Sequence, residues 1–248
     1  MLEKYAKSVL IITNNSELCE FLIKCFENIP DRLNYKLDIR TSPGSSLIIN
    51  GCVIDTIDLK DPSTVKNIIE SYQLVISLHS LQIFPKNLVN SILCINIHPG
   101  YNPFNRGFYS QVFSILNSFA VGATIHVIDE GIDTGAIIDQ ELLSINSCDT
   151  SFTVYRKIIA AEKVLIEKNL VQMLEGTFLS VDLKSKGNYN SKKDFTTLCE
   201  LDLSSKGSLG EHIQLLRSLT HPGFKNAFFF CNKGKKHFIS INIENTCD

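Results

Sequence analysis

Residues 93–100, Leu-Cys-Ile-Asn-Ile-His-Pro-Gly, form an apolar run that carries two polar side chains and stops at a proline and a glycine. Alternate residues of a β-strand point to the same face, so a strand here places Asn96 and His98 together. Pro99 and Gly100 predict the end of that strand. Two interpretations stay open for the polar pair, namely capping of the strand end and chemistry at an open face.

The segments around this run alternate between apolar, β-like stretches and helical patterns. Strands are predicted at 8–13, 35–39, 74–78 and 93–97, with a weaker one at 52–57, and helices at 16–26, 62–71 and 85–90. This order predicts the α/β class, with a Rossmann-like, doubly wound, mostly parallel sheet. Ligands of such sheets bind beyond the carboxyl ends of the strands, here just after Leu78 and Ile97. Asn14–Glu17 replaces the glycine-rich fingerprint of dinucleotide binding, so no NAD is expected.

The second half of the chain predicts a different arrangement. A helix is expected at 108–117, two strands at 121–128 and 136–143, a loop at 129–135 and a long helix from about 151 to 174. Lys, Ser, Asp and Asn then dominate residues 181–205, which predicts a catalytic domain of residues 1–180 and a small C-terminal module of residues 181–248. That module should contain a helix at 209–219 and a hairpin of 227–231 with 237–243.

Composition limits the classes of function. The 248 residues are 44% hydrophobic and 20% charged, with a net charge of -2, as expected of a globular protein. The absence of a basic surplus argues against a nucleic-acid partner. The apolar stretch near the N-terminus is too short for a signal peptide or a membrane span, so no membrane and a cytoplasmic location are expected. Neither the histidines nor the cysteines have the spacing of metal ligands, and no metal is predicted.

The loop at 129–135 contains a third candidate for chemistry. Asp133 lies between Gly131 and Gly135, which permit close approach of the backbone, and its carboxylate could reach an imidazole. Taken alone, an acid in such a loop is more often a turn residue.

Three motifs in this order resemble the formyltransferase family that uses 10-formyltetrahydrofolate. They are residues 96–100 (Asn-Ile-His-Pro-Gly), residues 122–126 (Gly-Ala-Thr-Ile-His) and residues 131–135 (Gly-Ile-Asp-Thr-Gly). The resemblance extends over roughly residues 77–143, and it implies a catalytic trio of Asn96, His98 and Asp133. Residues 102–107 and 216–227 look most like the sugar N-formyltransferases. This resemblance implies an enzyme that formylates a nucleotide-linked amino-deoxysugar, commonly dTDP-4-amino-4,6-dideoxyglucose or a 3-amino isomer, for O-antigen biosynthesis, and that forms a homodimer through its C-terminal module.

The chemistry of formyl transfer explains these residue types. Attack of an amine on a formyl carbon creates an oxyanion, which the side-chain amide of Asn96 can stabilise by donating a hydrogen bond. His98 is suited to accept the proton of the amine. Asp133 would either orient His98 or order a water that relays protons, and the sequence does not choose between these roles.

Binding residues are expected on both sides of the trio. The resemblance implies a folate site made by the main chain and apolar side chains of two segments: Gln82, Ile83, Phe84, Ile128, Asp129 and Glu130. Arg106 is the best candidate for a diphosphate, because a guanidinium can grip two phosphate oxygens. The other candidates for the nucleotide sugar are His79, Asn102, Phe104, Asn105, Tyr109, His221, Lys225 and Asn226.

Four alternative functions remain compatible with the sequence. Glycinamide ribonucleotide and methionyl-tRNA formyltransferases share the trio by resemblance, although the first usually lacks the C-terminal module and the second carries a larger basic domain. A folate-binding module without catalysis is a different class of function. Hydrolysis of the formyl donor is a further enzymatic possibility.

Overall fold

The computed structural model describes residues 7–244, and a six-stranded sheet runs through them. The strands are β1 (Lys7–Thr13), β2 (Tyr35–Arg40), β3 (Ile48–Ile49), β4 (Cys52–Val53), β5 (Leu74–Leu78), β6 (Leu93–His98), β7 (Arg106–Gly107), β8 (Val121–Val127), β9 (Ile137–Leu143), β10 (Tyr189–Asn190), β11 (Phe228–Phe230) and β12 (Lys236–Phe238). The helices are α1 (Ser16–Glu27), α2 (Pro62–Ser71), α3 (Lys86–Val89), α4 (Ser110–Asn117), α5 (Ser151–Glu175), α6 (Lys192–Cys199) and α7 (Leu209–Leu219), with a 3-10 turn at Arg32–Asn34.

The main sheet has the strand order β2-β1-β5-β6-β8-β9. The first four strands are parallel, whereas β6 pairs antiparallel with β8 and β8 antiparallel with β9. The predicted α/β class and mostly parallel sheet are therefore confirmed. The carboxyl ends of β1, β2, β5 and β6 lie at one edge of the sheet, which is where ligands of this class of fold bind.

Two apolar layers pack on opposite faces of the sheet, because successive strand residues point to opposite sides. Val9 and Ile11 of β1 belong to the cluster that includes residues of α1 and α5. Leu10 and Ile12 belong to the cluster formed with α2 and α3. All of these β1 side chains are fully buried, which explains why β1 is a continuous apolar run without alternating polar residues.

Helix ends follow the sequence signals. Asn15 caps α1 by accepting a hydrogen bond from the Leu18 amide at 3.0 Å. The helix predicted from Phe108 instead begins at Ser110, because Tyr109 has a left-handed backbone with φ of 56°. The weak strand predicted at 52–57 is a two-residue ladder with β3. Within residues 7–244, no helix has the length and apolar character needed to cross a bilayer.

The C-terminal part of the chain packs on α4 through α6, α7 and a small hairpin. Val112 of α4 shares an apolar cluster with Cys199, Leu219 and Ala227. The hairpin is shorter than predicted, since only β11 and β12 pair. Before it, β10 pairs in parallel with β7, so residues after 180 bond directly to the loop that precedes α4. The domain boundary near residue 180 stays a prediction.

We expect Ile95→Ala to lower the free energy of unfolding by about 2–5 kcal/mol, because the substitution leaves a cavity in a packed core. Ile95 is fully buried in the central strand β6. Val164→Ala on α5 is the matched control, since Val164 is 54% exposed and its truncation should change stability by less than about 0.5 kcal/mol. Urea titrations followed by circular dichroism measure both, and equal effects would contradict this assignment of the core.

Candidate active site

The side chains of the predicted trio meet at the carboxyl end of β6. Asn96 and His98 lie on that strand, and Asp133 comes from the loop between β8 and β9. The carboxylate of Asp133 accepts a hydrogen bond from Asn96 Nδ2 at 3.1 Å through Oδ1. Its Oδ2 atom lies 3.7 Å from His98 Nδ1 and accepts the backbone amide of Gly107 at 2.9 Å. The structure therefore brings the three residues together around one carboxylate.

His126 is a fourth member of this cluster, and the sequence reasoning missed it. The β6–β8 register pairs Asn96 with His126, and His126 Nε2 lies 3.2 Å from Asn96 Nδ2. Its Nδ1 is 2.7 Å from the carbonyl of Val127, so Nδ1 donates and Nε2 is the acceptor of the neutral ring. The signal was present, because Thr124 and His126 repeat the period-two polar pattern of β6.

The electrostatics of the cluster keep His98 neutral. Burial lowers the pKa of His98 to about 4, against the opposing effect of the Asp133 charge. Burial by itself raises the pKa of Asp133, but the neighbouring imidazoles of His98 and His126 and the hydrogen bond from the Gly107 amide outweigh it and hold that pKa well below its usual range. At neutral pH the site thus combines an uncharged imidazole with a carboxylate.

His98 Nε2 is the atom available for proton transfer. It is buried and has no hydrogen-bond partner within the protein. A side chain at position 100 is excluded, because a Cβ on Gly100 would lie 2.5 Å from Nε2. With Nδ1 facing Asp133, the neutral tautomer carries its proton on Nδ1 and a lone pair on Nε2. This arrangement can accept a proton from a bound amine.

Both N–H groups of the Asn96 side-chain amide are hydrogen-bonded. One N–H of Nδ2 is directed to Asp133 and the other to His126. Donation to a developing oxyanion therefore requires release of one of these bonds. The bond to neutral His126 is the weaker of the two, since hydrogen bonds to a carboxylate are roughly twice as strong as neutral ones.

Arg106 and Asn105, two residues predicted to bind the sugar nucleotide, are buried and hydrogen-bonded within the protein. The guanidinium of Arg106 is 8% exposed and donates to the carbonyls of Lys186 and Ile132. Asn105 is completely buried, and its side chain bonds Ser114 at 3.0 Å and Asn188 at 2.8 Å. These internal bonds occupy Nε and one terminal nitrogen of Arg106 and the side-chain amide of Asn105, and the contacts of the two residues with a diphosphate and a sugar stay a prediction.

The other predicted residues of this loop lie close to the trio or pack beside it. Asn102 donates from Nδ2 to the Asp133 carbonyl at 3.0 Å, and its Oδ1 is buried without a protein partner. Phe104 packs against Phe119 with ring centroids 5.4 Å apart. Tyr109 stacks on Phe195 of α6 at 3.8 Å and is 40% exposed. Asn102 keeps an unsatisfied acceptor for a ligand, whereas the two rings are partly used in packing.

The loop after β5 is held by hydrogen bonds of Gln82 and exposes an apolar side chain. Gln82 accepts from the Leu59 amide at 2.8 Å and donates to the Ile57 carbonyl at 3.0 Å. Ile83 is 76% exposed. Phe84 is 8% exposed and belongs to the core cluster under α2, and its place in a ligand wall stays a prediction.

The second predicted folate segment is also tied internally. The backbone amide of Ile128 donates to the Cys94 carbonyl at 2.8 Å, so that N–H already has a partner in the sheet. Asp129 accepts from Thr134 at 2.7 Å, and Glu130 pairs with Lys86 at 3.0 Å. These bonds fix the loop beside Asp133, and a main-chain role of residues 128–130 stays a prediction.

His79 follows β5 and lies next to the trio. The β5–β6 register pairs Leu78 with Ile97, which places His79 beside His98 at the strand ends. His79 has φ of 56°, and its Nε2 lies 2.8 and 3.0 Å from the two carboxylate oxygens of Glu162. Glu162 is completely buried on α5, and burial raises its pKa, with His79 acting in the opposite direction.

Of the three predicted binding residues in the C-terminal module, His221 faces α5, whereas Lys225 and Asn226 contact other parts of the module. His221 Nδ1 lies 3.4 Å from Ser151 Oγ at the start of α5. Lys225 lies over the ring of Phe238 at 5.6 Å, and Asn226 donates to the Leu219 carbonyl at 3.0 Å. Among residues 7–244, no group of three or more His, Cys, Asp or Glu side chains is arranged to hold a metal ion.

Comparison with known proteins agrees with the geometry. The profile of the family described as formyl transferase matches residues 3–170, and a profile described as N-formyltransferase dimerization C-terminal domain matches residues 194–245. The chain is 41% identical over 180 residues to a dTDP-4-amino-4,6-dideoxyglucose formyltransferase of Mycobacterium tuberculosis, covering 73% of this chain and 77% of the relative.

Two solved structures extend the likeness to nearly the whole chain. A sugar N-formyltransferase from Shewanella sp FDAARGOS_354 has a TM-score of 0.91 at 37% identity, covering 97% of this chain and 99% of that one. An N-formyltransferase of Helicobacter canadensis, in complex with folinic acid and dTDP-3-aminofucose, has a TM-score of 0.69 at 21% identity, covering 92% and 85%. At that identity the second likeness concerns the fold.

The chain belongs to the formyltransferase family. It is a formyl-transferring enzyme, and the relatives that it resembles over most of its length are sugar N-formyltransferases.

The low pKa of His98 generates a direct prediction. Imidazole ¹⁵N shifts should show His98 neutral from pH 8 down to about 5 and half protonated near pH 4, because burial disfavours the charged ring. Asp133→Asn removes the charge that favours the imidazolium, so it should lower the midpoint further. The signal is assigned by its loss in His98→Gln, and circular dichroism reports whether the protein is folded at each pH. A midpoint at pH 6 or above would contradict the buried, neutral base.

Proposed function

We propose that this enzyme transfers the formyl group of 10-formyltetrahydrofolate to the amino group of dTDP-4-amino-4,6-dideoxyglucose. The observation that carries the proposal is the cluster around Asp133. In it the Asn96 side-chain amide is hydrogen-bonded, and His98 Nε2 is an acceptor that has no hydrogen-bond partner in the protein. The name of the Mycobacterium tuberculosis relative supports the acceptor. The folinic acid and dTDP-sugar bound by the Helicobacter canadensis protein support a folate donor and a nucleotide-linked acceptor.

In the proposed reaction, Asn96 and His98 have separate roles. A new C–N bond forms between the amine and the formyl carbon, and the carbonyl oxygen becomes an oxyanion. Asn96 turns one N–H from His126 to that oxygen. His98 Nε2 accepts the proton that the amine loses, and the resulting imidazolium is stabilised by Asp133 at its Nδ1. When the C–N bond to the folate breaks, His98 returns the proton to the departing nitrogen.

Asp133 orients His98 in this mechanism. Its Oδ2 lies on the Nδ1 side of the ring, and that position selects the tautomer with a free Nε2. We also propose that the enzyme is a homodimer formed through the module of residues 194–245 and that its product is used for O-antigen or a similar surface polysaccharide. The description of the C-terminal profile supports the dimer.

The acceptor is tested by following tetrahydrofolate release from 10-formyltetrahydrofolate with a panel of amines. dTDP-4-amino-4,6-dideoxyglucose should accelerate release at least about tenfold more in kcat/KM than its 3-amino isomer, a discrimination of about 1.4 kcal/mol. Glycinamide ribonucleotide and a reaction without acceptor are the controls. Rapid release without acceptor would identify a hydrolase, and release stimulated only by glycinamide ribonucleotide would overturn the sugar assignment.

Single replacements test the roles of the trio. Asn96→Ala should lower kcat by about 10²–10³, the effect of removing one oxyanion donor. His98→Ala should lower it by about 10²–10⁴, the range for a general base. His212→Ala on α7 is the control histidine and should keep wild-type turnover. Wild-type kcat in folded Asn96→Ala and His98→Ala would contradict this mechanism.

A further inference from the structure

A completely buried acid on α5 contacts a residue beside the catalytic cluster, and the mechanism above does not use it. Both carboxylate oxygens of Glu162 lie close to His79 Nε2, at 2.8 and 3.0 Å. Within residues 7–244, the His79 ring is the one hydrogen-bond partner of this side chain. A buried carboxylate gains little net stability from a single such contact, because its desolvation opposes the gain. Stability alone therefore does not account for this pair.

The hydrogen bonds of Asn15 fix the tautomer of the His79 ring. Asn15 Oδ1 accepts from the Leu18 amide as the cap of α1, so Nδ2 is the atom that faces His79. Nδ2 lies 3.3 Å from His79 Nδ1 and donates to the Tyr155 hydroxyl at 3.1 Å. Because Nδ1 accepts, the neutral ring carries its proton on Nε2 and donates it to Glu162. Both ring nitrogens of His79 are thus hydrogen-bonded within the protein.

The backbone of His79 has a conformation that these side-chain bonds support. Its φ is 56°, in the left-handed region, where a residue with a Cβ is sterically disfavoured and glycine is not. Such a conformation persists only where surrounding contacts impose it. The ring is held from α5 by Glu162 and from the start of α1 by Asn15. The two contacts therefore stabilise the left-handed turn at the end of β5.

The turn at His79 sets the direction of the loop that follows. Two residues later, the Leu81 amide donates to Asn14 Oδ1 at 3.2 Å. The loop then exposes apolar side chains, since Leu81 is 53% and Ile83 76% exposed. Residues 82–84 of this loop belong to the predicted folate site. A loop that already has its bound conformation binds a ligand more tightly, because less ordering is needed on binding.

We propose that Glu162 is a positioning residue for the formyl donor, which holds the His79 ring and so stabilises the donor-binding position of residues 80–84. The proposal rests on the proposed function, because it takes this loop as a contact for 10-formyltetrahydrofolate. Glu162 itself touches neither substrate, since it is completely buried. Donor affinity then depends on a side chain that lies 83 positions after His79 in the chain.

An electrostatic effect on His98 is the competing role for the same carboxylate. Glu162→Gln separates the two roles, because the amide oxygen still accepts the proton of His79 Nε2 while the negative charge is removed. Positioning predicts donor affinity and kcat within about twofold of the wild type in this variant, since the hydrogen bond is kept. A fall in kcat with unchanged donor affinity would assign Glu162 to electrostatics and contradict the proposal.

The main test is a double-mutant cycle on the full chain, read by titration calorimetry with folinic acid, the 5-formyl isomer of the donor. Glu162→Met removes the acceptor at similar volume and should weaken binding about tenfold, because an unsupported left-handed residue populates that conformation less. In a His79→Gly background the same substitution should change the affinity by less than about twofold, since glycine adopts the turn unaided.

The control and the kinetic readout distinguish positioning from general damage. Glu167 is an exposed acid on the same helix, and Glu167→Met should bind folinic acid as the wild type does. In turnover, Glu162→Met should raise KM for 10-formyltetrahydrofolate and leave kcat and KM for the sugar nucleotide within about twofold. A merely structural role would lower stability without this selective change in the donor KM.

A second comparison decides the question if Glu162→Met does not fold. His79→Ala keeps a Cβ at the left-handed position and lacks the ring, whereas His79→Gly lacks both. Folinic acid should bind His79→Gly about tenfold more tightly than His79→Ala, because only glycine adopts this φ without a steric cost. Circular dichroism reports whether each variant is folded. Equal affinities of the two folded variants would overturn the proposal.

The remaining outcomes separate this proposal from the proposed function. Wild-type protein that binds no folinic acid and releases no tetrahydrofolate would overturn the proposed donor, and the positioning role with it. Wild-type affinity in folded Glu162→Met would overturn the positioning role alone. An equal loss of affinity in the His79 and His79→Gly backgrounds would also overturn it, because Glu162 would then act by a route other than the His79 ring.

Discussion

The carboxylate of Asp133 is the constraint on which the site depends. Its two oxygens contact groups from three places in the chain: the strand β6, the backbone at Gly107 and His126 on β8. A buried carboxylate is costly unless several donors satisfy it. Asn96, one of the two donors that satisfy Asp133, is also the donor that the proposed reaction uses, so part of the proposed catalytic geometry follows from the energetic requirement. Replacement of Asp133 therefore changes the contacts of Asn96, His98 and the Gly107 amide at the same time.

Backbone strain is concentrated around the same carboxylate. Four non-glycine residues near the site have left-handed backbones, with φ between 52° and 56°: His79, Asn105, Tyr109 and Asp133. Such conformations cost of order 1–3 kcal/mol each and persist only where surrounding contacts impose them. Each of these residues is so constrained, His79 by Glu162, Asn105 by Asn188 and Tyr109 by stacking on Phe195. Asp133 is held by Asn96 and the Gly107 amide. The strain places side chains at angles that a regular strand or helix does not offer.

The sequence predicted the parts of this arrangement that periodicity encodes. The strands of the main sheet and the common face of Asn96 and His98 follow from local patterns, and so does the loop that carries Asp133. The internal bonds of Arg106 and Asn105 were not foreseen, for a physical reason. A charged or amide side chain in a polar loop looks available to a ligand, and only the tertiary structure shows that its partners include Lys186 and Asn188, about eighty positions later in the chain. Glu162 was missed similarly, because one acid within an amphipathic helix leaves no signal of complete burial.

The segment between the two family profiles has a structural role of its own. The profiles match residues 3–170 and 194–245, and residues 186–190 lie between them. Lys186 accepts from Arg106, and Asn188 accepts from the Asn105 amide at 2.8 Å, while β10 pairs with β7. The amide of Gly107 that bonds Asp133 belongs to this same β7. The geometry of the Asp133 carboxylate therefore depends on a linking segment as well as on β6 and β8, and a chain cut after the first profile would keep the predicted trio but lose the bonds that hold its loop.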